Sequence, residues 1–551
     1  MTRTVMASSA RESTTSGKHR RRELCDTEPA TVACSVTAET RHWVTFRLMS
    51  AAVASRLRRI TPGQLIVVAA FVVILCVIVR RGGDPDIFWH LVTGRWMVDH
   101  HQVVSQDLFT FTVRGKQWID PEYTTEIVAY LVYKVGGLTL VSLGFGAVTF
   151  IGFVLIWRRV NLEMSNRLIA AIVIGIAGLA GALVWGPRPQ MITFAFSCLE
   201  LFWLDGYLRG RSRAIYWLPL VMVAWANLHG GFLFGLVPVG VAAFVEGVHW
   251  VRRVDGDLHM RRTRNLLLVF VGCVVAAVLN PHGIHLYGYV IQPQFSNAQQ
   301  SFIAEWQSPN FHVLEERGFE LMLLLVPIAF VLRRPSLWEV CLTVVVTVAA
   351  LSAVRHAALF VAAETPILIW SFAAGWERMS LAHRVAEWIA PKGRALLAGA
   401  AAVLVVAVAG TGIFVHSTLS NQTSATAANF PVGAADWLVA HPDVGTHMFN
   451  QYGWGGYLIY RFYPDPNRRV FSFGEATMLG NSIMEQVSDV ELGNPDWQRI
   501  FAEHDIDYVI DVPGAPAVLA LEVDPQWTKV YDDGFAVIMV KNSALARASS
   551  T

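Results

Sequence analysis

The chain has 551 residues, 54% hydrophobic and 16% charged, with a mean hydropathy of +0.43. A soluble protein carries about 25% charged residues, and the apolar excess here lies in runs, which excludes an ordinary soluble enzyme and marks a polytopic membrane protein. The formal charge is only +2, with no basic patch for nucleic acid, and the six cysteines divide between a polar tail and apolar runs, so no disulfide framework is implied.

Residues 1–55 are polar, contain GKHRRREL and lack the apolar core of a signal peptide, so they read as a disordered cytosolic tail. Met49, opening MSAAVASRLRR, is an alternative start. About 20 mostly apolar residues cross the hydrocarbon as a helix. Candidate spans lie at 65–79, 138–157, 168–185, 191–204, 215–226, 232–248, 266–279, 321–332, 337–351, 357–372 and 395–415, which makes about eleven. With RLRR at 56–59 inside, alternate loops are basic, as the positive-inside rule requires: Arg158, Arg159 and Arg167, then RGRSR from Arg209, Arg252–Arg264, Arg333 and Arg334, and KGR from Lys392. Reading 122–135 as a surface or re-entrant helix closes that pattern. Arg80 and Arg81 are its exception.

The other set of loops has a different chemistry. It holds the first outer loop, 82–137, with GGDPDIFWHLVTGRWMVDHH, then WGPRPQ, WANLHGG, NPHG, EWQSPNF and the pair Arg355-His356. Plain turns need only Gly, Ser or Asn. These carry Asn, His, Arg, Pro and aromatics, all on one predicted face. Residues 426–545 then change composition and read as a small outer α/β domain, with AADWLVAHP and PDWQRIFAEH as helices, YGWGGYLIYRF as a turn feeding a helix, and THMFN, RVFSF, DYVIDV and FAVIMV as strands. The expected division is therefore a tail over 1–55, a transmembrane domain over 56–416 and an extracytoplasmic domain over 426–545.

Together DPDIFWHLVTGRWMVDHHQVVSQDLFTFT, GKQW, PRPQ, WANLHGGF, NPHG, EWQSPNF and NQYGWGGYLIYRF resemble, in this order, bacterial membrane proteins of the GT-C glycosyltransferase superfamily. The resemblance runs from about residue 60 to 545. It implies an enzyme that uses a polyprenyl-phosphate-linked sugar and an envelope glycan, lipid or protein acceptor, with an acidic motif in the first outer loop. Asp86-Ile-Phe-Trp-His90 matches that motif's spacing, which favours Asp86 over Asp84, although Ile87 stands where the family carries a neighbouring acid. A divalent metal is left open.

Transfer to a hydroxyl needs a base, and a carboxylate suits it. Asp86 is the choice and Asp84 the reserve. The leaving phosphate gathers charge, which arginine stabilises bidentately; Arg188 and Arg355 are the candidates. His229 and His282 supply hydrogen bonds to phosphate or sugar, Glu305 with Trp306 grips hydroxyls and a ring face, and His90 and His356 join them as substrate-binding candidates. Each has a plainer reading. Asp84-Pro85 starts turns, arginines snorkel to headgroups, and His229 before two glycines serves a helix end. Trp89, Trp96, Trp118, Trp185 and Trp225 fit an interfacial belt, His100-His101 a surface pair, and Glu364-Thr365-Pro366 a kink. The leading expectation is a membrane glycosyltransferase; the rivals are a flippase for a lipid-linked intermediate and a non-catalytic scaffold.

Overall fold

The computed structural model describes residues 60–80, 83–163 and 166–548. The expected tail, Met49, the basic group at 56–59 and Arg81 lie outside them. Every apolar run read as a span is helical: α1 (Pro62–Ile78), α2 (Tyr123–Val160), α3 (Arg167–Ala180), α4 (Gln190–Leu208), α5 (Leu218–Leu228), α6 (Leu236–Val251), α7 (Gly256–Ala276), α8 (Arg317–Leu332), α9 (Leu337–Ser352), α10 (Ala357–Arg378) and α11 (Gly393–Ser420). Among the described residues, five helices are long and apolar enough to cross a membrane by length and composition. Polar sequence signals set the starts. Thr61 and Gln64 cap each other's backbone before α1, with Pro62 at its first position, and Ser336 and Glu339 do the same for α9.

Two glycines break α2. Gly136 leaves helical geometry, and Gly137, at φ 60° and ψ −162°, takes a conformation that side chains resist. The stretch before the break is the helix expected over 122–135; the apolar span follows it. In the bundle α1 lies against α11 and α3, α2 against α4, and α6 and α7 form a closely packed hairpin. α10 runs through the middle, with Phe360, Val361, Ala363, Ile367 and Leu368 wholly buried.

Arg159 corrects one sequence reading. It is no loop charge but is 1% exposed, donating to Asp205 at 2.6 Å and to the carbonyls of Ala362 and Ala363. The tryptophans correct another. Trp89, Trp118, Trp185 and Trp225 are buried in the packing rather than ringing the molecule, and only Trp96 is partly exposed.

After α11 comes a four-stranded sheet in the order β1-β2-β4-β3. β1 (Met448–Asn450) pairs in parallel with β2 (Tyr508–Asp511), Met448 opposite Tyr508; β4 (Val537–Lys541) is antiparallel to β2 and to β3 (Trp527–Asp532). The central strands are buried except at Lys541 and accordingly rich in Val, Ile and Met. RVFSF, expected as a strand, does not join the sheet. Its backbone is taken up by Asn450, whose side chain accepts from Phe471 N–H at 2.8 Å and donates to the Ser472 carbonyl. It is also taken up by the first loop, where Val470 bridges Thr110. That loop is stitched further: Thr112 donates to the Phe471 carbonyl and Lys116 to that of Leu479.

Candidate functional site

The first loop opens with Asp84, whose carboxylate accepts the Asp86 N–H at 2.9 Å and so starts the helix Asp86–His100. This helix packs on α2 and on the helix Gly455–Phe462. The latter contact is close: a Cβ on Gly456 would meet the Pro85 carbonyl and the Trp89 ring, and one on Gly474 would run into the Asp86 carboxylate. Phe88 adds edge contacts with Phe430 and Tyr457 at centroid distances of 4.9 and 5.2 Å. The helix therefore holds Asp86, Trp89 and His90 rigidly against a cavity of about 360 Å³.

Segments distant in sequence line that cavity: Asp86 and His90, Glu122, Arg188, His229 to Gly231, Tyr289, Glu305 and Trp306, Arg355 and His356, Tyr452 and Glu475. The structure thus brings together eight of the ten residues singled out in the sequence. Asp84 stands just behind the wall as an ion partner of Arg188. His282 is not on the wall; its Nε2 is buried with no hydrogen-bond partner among the described residues, and its ring interacts with the Asp120 backbone.

The two arginines differ. Arg188 is ion-paired with both Asp84 and Glu305, and Glu305 also accepts from Gln190 at 3.3 Å. With two carboxylates on one guanidinium, its positive charge is already spent. Arg355 lies 4.4 Å from the centre of the Trp306 ring, and among the described residues no carboxylate is within ion-pairing distance of it. Glu122 and Asp86 act on it only from farther across the cavity. Of the two arginines on the cavity wall, it is the one whose charge no carboxylate pairs among the described residues.

The opposite wall is acidic. Asp86 Oδ1 accepts from Trp89 Nε1 at 3.1 Å; burial raises its carboxyl above the ordinary value, against that bond and Arg355. Glu122 sits between two imidazoles, its carboxylate 3.2 Å from His229 Nε2 and 3.6 Å from His90 Nε2. Burial, reinforced by Asp120 and Glu475, raises Glu122 well above the usual range. Burial pushes Asp120 up to about 6 and Glu475 to about 7. Glu475 also accepts from Tyr289 Oη at 2.6 Å.

The histidines are neutral for the same reason. Burial drives both His90 and His229 down to about 3. His229 Nδ1 accepts the Gly231 N–H at 2.9 Å and lies 2.6 Å from the Thr193 hydroxyl. That fixes the proton on Nε2, facing Glu122. The plainer reading of His229 as a helix-end partner is therefore true in geometry, and the same ring still faces the cavity. His90 Nδ1 lies 2.7 Å from Glu126. His100 and His101 are exposed, and Glu364 is buried, accepting from Thr343 at 2.7 Å.

Sequence reasoning missed Asp120, Glu122 and Glu126 in the first loop, and Tyr289, Tyr452 and Glu475. A signal existed for the first set. Glu122 and Glu126 are one helical turn apart and follow a proline, which places two acids on one face at a helix start. Glu475 carried none beyond a preceding glycine.

Fold and site together define a polytopic helical membrane protein whose cavity is walled by acids and two arginines and closed by a small α/β region. No protein-family model and no curated protein matches the chain. Among solved structures it is similar to the apo crystal structure of ArnT from Cupriavidus metallidurans, with TM-score 0.48, 17% identity, and 92% of this chain and 99% of that one covered. ArnT bound to undecaprenyl phosphate gives 0.46 at 17% identity, over 86% and 97% of the two chains. The arabinofuranosyltransferase AftD from mycobacteria gives 0.41 at 15%, over 88% of this chain and 40% of AftD.

Proposed function

We propose that the chain is a GT-C-type membrane glycosyltransferase that moves a sugar from a polyprenyl-phosphate donor to a cell-envelope acceptor at the extracytoplasmic face. The observation that carries this reading is Arg355, stacked on Trp306 with no ion partner among the described residues and facing Asp86 and Glu122 across the cavity. A phosphate takes the guanidinium, the sugar occupies the space between, and the acceptor hydroxyl approaches the acids. Asp86 removes the hydroxyl proton as the oxygen attacks the anomeric carbon. The bond from that carbon to the phosphate oxygen breaks, and the lipid phosphate leaves with the electron pair, its charge met by Arg355. Burial raises the Asp86 carboxyl, which makes it a better base than an exposed aspartate. Asp84 and Arg188 act as supports: they fix the start of the Asp86 helix to the Pro187–Pro189 turn and to Glu305.

The orientation follows from charge. Arg252, Arg253, Arg261, Arg262 and Arg264 gather at the end of α6 and α7 away from the cavity, which supports reading that end as the cytoplasmic side under the positive-inside rule. The chain then divides into a membrane domain over 56–416 and an outer domain over 426–545.

The test is turnover of undecaprenyl-phosphate-linked sugars by the purified protein in detergent. Asp86→Asn is expected to lose about 10²- to 10⁴-fold in kcat. Arg355→Gln is expected to lose undecaprenyl-phosphate binding. Arg188→Leu should instead unfold more easily, because breaking a buried ion pair from one side costs about 3–5 kcal/mol. Undiminished turnover in the folded Asp86→Asn protein overturns the assignment of the base.

A further inference from the structure

The turn between α6 and α7 gathers three side chains that the chemistry above leaves unused. Glu246 and His249 stand three residues apart near the end of α6 and share one face. His259 returns from the first turns of α7. His259 Nδ1 lies 2.5 Å from Glu246 Oε2, and the two imidazole centroids are 4.9 Å apart at 70°. The ligating atoms of the three residues all fall within 4.8 Å of one another. Arg262 approaches the other oxygen of Glu246 at 3.5 Å, which leaves Oε2 to point at the histidines. Glu246 itself is 4% exposed.

A hydrogen-bonded His259–Glu246 pair alone does not account for this cluster. His249 Nδ1 is shut away from solvent and has no hydrogen-bond partner among the described residues, a state that costs about 1–3 kcal/mol for a buried polar atom. A coordinated cation would occupy the space the three residues enclose. Two imidazoles and one carboxylate suit a borderline transition cation; Mg²⁺ and Ca²⁺ prefer all-oxygen shells. Three protein ligands leave a fourth tetrahedral position for water. Arg262, on the far oxygen, would orient the carboxylate as outer-shell partners of metal ligands do.

We propose that Glu246, His249 and His259 bind one divalent transition cation of the Zn²⁺ class, which cross-links the α6–α7 hairpin at the end away from the cavity. α6 begins five residues after the His229–Gly231 turn and advances 1.5 Å per residue, so Glu246 and His249 lie roughly 15–20 Å along the helix from its cavity end. The cation pins the hairpin that carries that turn and takes no part in transfer.

The full chain, purified in detergent and stripped with EDTA, is titrated with ZnCl₂ against a chromophoric chelator. The wild type is expected to take up one more Zn²⁺ per chain than a His249→Gln/His259→Gln variant, and its thermal midpoint should rise with Zn²⁺ where that of the variant does not. A His229→Ala variant keeps that equivalent, which separates this site from the cavity. X-ray absorption of the Zn²⁺-loaded wild type needs no variant: a shell with two imidazoles supports the site. An all-oxygen or sulfur shell, no uptake by the wild type, or equal uptake by the double variant overturns it.

Discussion

Glu475 shows what burial does to a single carboxyl. Its value rises from 4.5 to about 7, chiefly through desolvation, while Tyr289 and the Met478 N–H pull the other way. Above pH 7 the folded protein must hold this acid charged in a place that resists charge, whereas the unfolded chain ionises it freely near 4.5. The folded state therefore binds more protons between these limits, and stability falls as pH rises through that window. Asp120, raised to about 6 mainly by desolvation, adds in the same direction over the lower part. Glu475→Gln removes one such group. Its thermal midpoint in detergent should drop less than that of the wild type between pH 5 and pH 8; parallel curves would refute the assignment. The same comparison explains why Arg355 and Arg188 could not be ranked from sequence. Both are arginines beside helix breaks. Only the ion partners, Asp84 and Glu305 for one and an aromatic face for the other, distinguish them.

Between elements, the closest approach is the one that closes the cavity. A methyl on Gly474 would fall on the Asp86 carboxylate and 2.9 Å from Trp89 Nε1, so the bond between those two side chains would have to open. Gly474→Ala is expected to destabilise the protein by about 1–3 kcal/mol and to lower turnover. Gly514→Ala, where a methyl meets nothing within 4 Å, should be neutral in the same thermal unfolding. At this scale the helices were legible, because uninterrupted Leu, Val and Ala runs offer the backbone no other way to satisfy itself in hydrocarbon. The separation of 122–135 from the following span was legible too, from the alternation of basic loops, and the break falls at Gly136-Gly137. Strands were less so. RVFSF has the composition of a buried strand, yet Asn450 and Thr110 claim its backbone. β3 was overlooked because an edge strand such as Trp527–Asp532 alternates only weakly, with most of its residues partly or fully exposed. Loops that meet at the cavity were legible by their odd chemistry, and Glu122 left a signal in its spacing to Glu126; Glu475 did not, since nothing local announces a carboxylate whose partners lie far along the chain.

For the whole molecule, the central expectation concerns sides. A single cysteine placed at Ser308, in the exposed EWQSPNF turn beside the cavity, should react in intact cells with a membrane-impermeant maleimide. One placed at Arg253, in the α6–α7 turn, should react only after the membrane is opened. The reverse pattern would put the cavity in the cytoplasm and remove the envelope acceptor from reach.

The bonds from Thr112 and Lys116 to the carbonyls of Phe471 and Leu479 join residues 359 and 363 positions apart. A ribosome adding roughly 5–20 residues per second needs roughly 20–70 s to cover that distance. For that interval the early loop is already made while the segment that locks it has yet to be synthesised. Chains terminated in that interval would carry most of the helices and still lack Tyr452 and Glu475, and with them one side of the cavity wall.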